Sequence, residues 1–120
     1  MRFGVCAGAQ IDIANRGMFN ASGNYTISGS AVQHVKATIQ GLAILQSITV
    51  TLSGTPAFSQ QFARASDGGV VYSFSVTFSG SATGQRFNVL QNGTIDTEGG
   101  GANYFPGNSA GTTASGGQYT

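Results

Sequence analysis

The chain reads as an all-β protein: a parallel β-helix of about three to four coils, right-handed by the usual crossover rule, ending in a glycine-rich C-terminal cap. Three observations predict it. Apolar and hydroxyl side chains alternate strictly along Ile48–Ser53 and again along Phe74–Ser79, the period of a strand with one apolar face. Both segments end in Ser-Gly followed by Ser or Thr, and a third copy, Tyr25-Thr-Ile27-Ser-Gly-Ser, lies upstream, so that Gly29, Gly54 and Gly80 recur at a nearly constant interval. A second series, Gly41, Gly69 and Gly93 with Gly17 ahead of it, precedes short apolar runs. Recurrence in the twenties at this strand density is the signature of a solenoid. The alternative is an antiparallel β-sandwich, whose strands also alternate and whose turns also favour glycine.

Taken in order, residues 1–98 form the coils and residues 99–120 the cap. Residues 1–23 match the repeat weakly: Gly4 precedes Gly29 by the interval that separates Gly29 from Gly54, but no clean alternating strand stands ahead of it, which predicts an incomplete or irregular first coil. Within 31–46, Val32, Val35, Ile39 and Leu42 approach helical spacing, yet Gly41 in the middle and the repeat alignment decide for strands. Each period holds a middle strand: His34–Ile39, Gln60–Arg64 and Gln85–Leu90. Aligning the glycines predicts inward ladders Tyr25/Val50/Val76 and Ile27/Leu52/Phe78, and outward ladders Thr26/Thr51/Thr77 and Ser28/Ser53/Ser79. The last coil would leave an open apolar rung. In the cap, Gly99–Gly101 allow a sharp turn, Tyr104 and Phe105 are suited to lie across that rung, and Gln118-Tyr-Thr can add a strand.

Composition narrows the function. The 120 residues suit one small domain, with only 8% charged side chains and a net charge of +1. Arg2, Arg16, Lys36, Arg64 and Arg86 are scattered rather than gathered on one face, which argues against nucleic acid as a partner. No stretch approaches the roughly 20 apolar residues of a membrane span, and the start lacks the apolar core of a signal peptide. Three Asn-x-Ser/Thr triplets, at Asn20, Asn24 and Asn92, are what a chain rich in these residues contains by chance. Cys6 is the single cysteine, so no intrachain disulfide forms, and Cys6 with His34 is too few ligands for a metal site; neither metal nor cofactor is expected.

Glycoside hydrolysis generally needs two facing carboxyls, and the acids are Asp12, Asp67, Asp96 and Glu98. Asp96 and Glu98 lie two apart on one outward face, a weak acid pair or a calcium-friendly corner with Asn92, and more commonly a solvated strand end. His34 and Asp67 could be joined to a serine as a triad, but no nucleophile-elbow pattern surrounds any serine. The expectation is a chain without catalytic residues.

The run "TFSGSATGQRFNVLQNGTIDTEGGGANYFPGNSAGTTASGGQYT", residues 77–120, together with "LSGTPAFSQQFARAS" from Leu52 to Ser66, resembles a C-terminal segment recurring in phage and prophage proteins, some of them described as tail-fibre or tailspike proteins. The resemblance covers about half the chain. It implies a homotrimeric virion structural protein, located on the virion and outside the host cell, with other virion proteins and a host surface glycan as partners. The alternative it leaves open is a carbohydrate-binding module, or part of a polysaccharide depolymerase whose active site lies elsewhere in a larger parent.

The outward row of Thr26, Thr49, Thr51 and Thr77 is the candidate binding surface. Its hydroxyls and methyls can pack against an identical face in a trimer, hydrogen-bond to sugar hydroxyls, or order water as an ice-binding array, although the last needs a longer and purer row. They can also simply solvate an exposed sheet.

Overall fold

Short segments of alternating side chains, interrupted every few residues by glycine or small polar residues, produce short strands that change direction at each interruption. In the computed structural model, which describes residues 1–120, there are strands and turns but no helix. The first coil carries β1 (Arg2–Phe3), β2 (Ala9–Ile13) and β3 (Met18–Ala21); the second β4 (Tyr25–Ile27), β5 (Ala31–Thr38) and β6 (Leu42–Gln46). The third carries β7 (Thr49–Leu52), β8 (Ala57–Ser66) and β9 (Val70–Phe74), and the fourth β10 (Thr77–Ser79), β11 (Thr83–Val89) and β12 (Thr94–Asp96). A fifth adds β13 (Thr112–Thr113) and β14 (Gln118–Tyr119). All pairings are parallel, and successive coils build three sheets: A in the order β1-β4-β7-β10, B as β13-β11-β8-β5-β2 and C as β14-β12-β9-β6-β3.

The fold is thus a β-solenoid, with about five coils rather than three to four. The extra coils lie at the two ends, where β1, β13 and β14 are too short to display an alternation.

The second glycine series is the most regular feature. Gly17, Gly41, Gly69, Gly93 and Gly117 each donate their N–H to the carbonyl of the residue opening the turn, on Ala14, Thr38, Ser66, Leu90 and Ala114, at 2.9 Å. The two residues between have positive φ in every case: Asn15–Arg16, Ile39–Gln40, Asp67–Gly68, Gln91–Asn92 and Ser115–Gly116. This is a type I′ turn repeated in every coil at the corner between sheets B and C. The turns also bond to one another, since Arg16 donates to Ile39, Gln40 to Asp67, Gly68 to Gln91 and Asn92 to Ser115, at 3.1–3.2 Å. The corner between sheets C and A has its own pair, Ser47 and Ser75, both at φ 53.

Two expectations about register are corrected. Tyr25 stands beside Val50 and Ile27 beside Leu52 as the alternation predicts, but Phe78 stands beside Val50, and Thr77 beside Thr49 rather than Thr51. The inward ladder is therefore Tyr25/Val50/Phe78, and Ser79 follows Thr51. The cause is unequal coil length: the chain takes a longer path from Val35 to its neighbour Ala63 than from Ala63 to Phe87. Phe74 is also not part of the Val76–Phe78 strand, because the corner at Ser75 intervenes; Phe74 ends β9 on the outer side of sheet C.

The core is a column of mostly aliphatic rungs with an aromatic row down one side. Val35, Ala63 and Phe87 stack on sheet B, and Ala43, Val71 and Ile95 on sheet C, all buried. Phe58 and Phe62 of the third coil, Phe78 of the fourth and Phe105 of the C-terminal segment pack edge-to-face or tilted on one another at centroid distances of 5.3–5.9 Å. Phe105, from the C-terminal segment, is wholly buried there, while the Tyr104 hydroxyl accepts a hydrogen bond from the Val76 N–H at 3.2 Å. The Arg86 guanidinium donates to the Phe105 carbonyl at 2.6 Å, and the Asn108 side chain accepts from the Gly84 N–H at 2.8 Å, tying this segment down before it adds β13 and β14.

Candidate functional site

Because sheet A is parallel and its inward positions are apolar, its outward positions fall into columns of small polar side chains. Thr26 lies beside Thr51 and Thr51 beside Ser79, with Arg2 continuing the column on the other side of Thr26. Thr49 lies beside Thr77, and the Asn24 side-chain oxygen accepts the Thr49 N–H at 2.8 Å, placing Asn24 ahead of them. The four threonines singled out from the sequence therefore share one face. They occupy two columns rather than one, with rungs about 4.8 Å apart and columns about 6.6 Å apart. Thr51 and Thr77 are exposed, and Thr26 and Thr49 half-buried. No charged side chain interrupts the face between Asn24 and Ser79, so it offers neutral donors and acceptors with methyl groups between them.

His34 is not available to such a face. It is fully buried in β5 and ringed by Phe3, Tyr25, Phe58 and Phe62. Both ring nitrogens are committed: Nε2 to the Tyr25 hydroxyl at 2.7 Å and Nδ1 to Gln10 Oε1 at 2.8 Å. The Gln10 amide donates to the carbonyls of Gly4 and Gly29, so its oxygen must face the imidazole and Nδ1 carries the proton. Tyr25 then donates to Nε2. Burial pushes the imidazole down to about 3 and the Tyr25 phenol upward, keeping both neutral. The structure does not bring His34 to Asp67, which lies in a B–C corner turn accepting from the Ser66 hydroxyl.

The remaining acids are also placed by structural contacts. Asp12 pairs with Lys36 at 3.6 Å on the outer side of sheet B. Asp96 Oδ1 accepts the Glu98 N–H at 2.9 Å and the Thr120 hydroxyl at 3.0 Å, closing the chain turn after β12. Asn92 is in the turn before β12, with its side chain over Gly116, and does not join them. Nowhere do three His, Cys, Asp or Glu side chains converge, and Cys6 is a free, half-buried thiol.

Sequence reasoning missed the outer side of sheet C. There Tyr72 and Phe74 project from β9 with ring centroids 4.8 Å apart, and the Tyr72 hydroxyl donates to Glu98, which pushes the phenol up to about 12. The alternation groups Phe74 with Val76 and Phe78 on one apolar face; the positive φ of Ser75, which separates them, is a signal that a local pattern does not carry.

No protein-family model, curated protein or solved structure matches the chain.

Proposed function

We propose that this chain is a non-catalytic structural β-solenoid of the phage tail-fibre or tailspike kind, in which sheet A is the glycan-contacting face. The reading joins the resemblance of residues 52–66 and 77–120 to one geometric observation: Thr26, Thr49, Thr51 and Thr77 form a two-column array of neutral hydroxyls on a parallel sheet. Such an array matches the hydroxyl-rich, uncharged surface of a polysaccharide, each contact contributing about 0.5–1.5 kcal/mol. In this reading the protein is a homotrimer on the virion, outside the host cell, with other virion proteins as neighbours.

The test uses host capsular and O-antigen fragments. Binding without shortening of the glycan, weakened about tenfold by the double variant Thr49→Val/Thr51→Val at unchanged melting temperature, supports the reading. Shortened glycan would instead make the chain part of a depolymerase, and absence of binding would leave a scaffold alone. A monomeric mass in solution would remove the trimer.

A further inference from the structure

Sheet C carries a second surface unlike the first. Its inward positions Ala43, Val71, Ser73 and Ile95 are fully buried, so the alternating Tyr72 and Phe74 are turned outward and remain partly exposed. Their rings stand 4.8 Å apart at 38°, forming a shallow aromatic shelf. In the adjacent strands Ile44 lies beside Tyr72 and Gln46 beside Phe74, and on the other side Asp96 lies beside Tyr72.

The shelf has an anionic rim. Tyr72 donates to Oε1 of Glu98, and Asp96 uses Oδ1 for the Glu98 N–H and Thr120, so the second oxygen of each carboxylate has no hydrogen bond within the chain. The one ion pair in the protein is Lys36–Asp12, on sheet B, so no cation neutralises this rim. An aromatic face is attracted to cations, and a free carboxylate oxygen accepts from a charged N–H; both preferences point to the same ligand group. A quaternary ammonium would have no N–H for the carboxylates, so the rim selects a primary ammonium. A pyranose ring offers an apolar C–H face for the shelf.

We propose that Tyr72, Phe74, Asp96 and Glu98 bind a protonated amino sugar, the ring lying over the aromatic pair and its ammonium donating to the two carboxylates. This rests on the reading of the chain as a glycan-contacting protein but uses a different face from the threonine array.

The probe is a fully deacetylated glucosamine oligosaccharide, compared by calorimetry with its N-acetylated counterpart at a pH where the sugar amine is protonated. The amine form should bind at least about tenfold more tightly, because acetylation removes the charge and with it the cation–π and charged hydrogen-bond terms. Glu98→Gln, which keeps the shape and the Tyr72 contact, and Phe74→Ala should each weaken binding about tenfold, while Asp12→Asn, which removes a carboxylate on the outer side of sheet B, leaves it unchanged. Equal binding of the two oligosaccharides, or amine binding indifferent to Glu98→Gln, would overturn the proposal. So would binding of neutral host glycan that is lost in Thr51→Val with no amine binding, an outcome that leaves the sheet A reading standing. If no saccharide binds at all, both fall together.

Discussion

A Cβ placed on Gly69 would stand 2.2 Å from the carbonyl oxygen of Ala37 in the preceding coil. Gly41 and Gly117 meet the carbonyls of Ile13 and Val89 in the same way, at 2.5 and 2.3 Å. Glycine recurs at this corner because neighbouring coils touch backbone to backbone there. Gly69→Ala should therefore force the coils apart and cost several kcal/mol, among the larger effects of a single substitution. Gly17, in the first coil, would bring its Cβ no nearer than 3.0 Å, to the Ala14 carbonyl of its own turn. Gly17→Ala should cost about 1 kcal/mol at most. Thermal melts of the two variants check this, and similar melting temperatures would show that coil contact is not the reason for the glycine.

Ile39 occupies the first central position of a B–C corner turn at φ 51 and is 52% exposed. A β-branched side chain is ill-suited to the left-handed region, and the equivalent positions hold Asn15, Asp67, Gln91 and Ser115. Ile39→Asn should stabilise the protein by about 1 kcal/mol, read as a higher denaturation midpoint at unchanged slope. A lower midpoint would mean that the isoleucine contributes packing that outweighs its strain.

The buried imidazole sets a pH dependence with a definite sign. His34 is held neutral in the folded protein, with its pKa down at about 3, and titrates near 6.5 once unfolded, so the unfolded chain binds the extra proton. The contribution of His34 is thus fully present above about pH 6.5 and is lost as pH falls from there toward 3, at up to about 1.4 kcal/mol per pH unit. His34→Leu should be less stable at neutral pH, since Tyr25 and Gln10 lose their partner, but should fall less steeply with acid. Parallel curves of stability against pH for the two proteins would contradict the assignment.

Phe105 is wholly buried against Phe62 and Phe78 although it belongs to the glycine-rich segment. Phe105→Ala should cost about 3–5 kcal/mol. Ending the chain at Gly101 should expose the fourth coil and promote aggregation. In the intact protein the amides of Arg86, Asn92 and Thr97, which bond to Ser109, Ser115 and Thr120, should exchange slowly with deuterium. Fast exchange across this whole set, with an unchanged melting temperature for the truncated chain, would make the segment a linker.

The strands and their faces are legible in the sequence because alternation is local: Thr49–Leu52 shows its inward and outward sides without knowledge of any neighbour. Register is legible only as far as spacing stays constant. A slip by one full period of the pleat returns every side chain to its own face, so nothing in the alternation distinguishes Phe78 beside Leu52 from Phe78 beside Val50. Gly117 is hidden in a segment where glycine is common, while Gly41, Gly69 and Gly93 stand out ahead of apolar runs. The threonine face follows from the same alternation. The aromatic shelf does not, because Phe74 and Val76 are separated by a corner that the strand period does not register.

The longer third coil takes up its additional length near the corner between sheets A and B. Leu52 stands beside Ile27, Phe58 beside Ala31 and Gln61 beside Gln33, and the sequence separation of the partners grows at each step along this series. Beyond it the separation shortens again, with Gln85 beside Gln61. That corner therefore behaves as an expansion joint, where length can be added without displacing either outer face. The exposed Gly54–Thr55 pair within it is a natural graft point for a foreign peptide or a fluorescent label, carried on the outside of the molecule while the faces on either side keep their alignment.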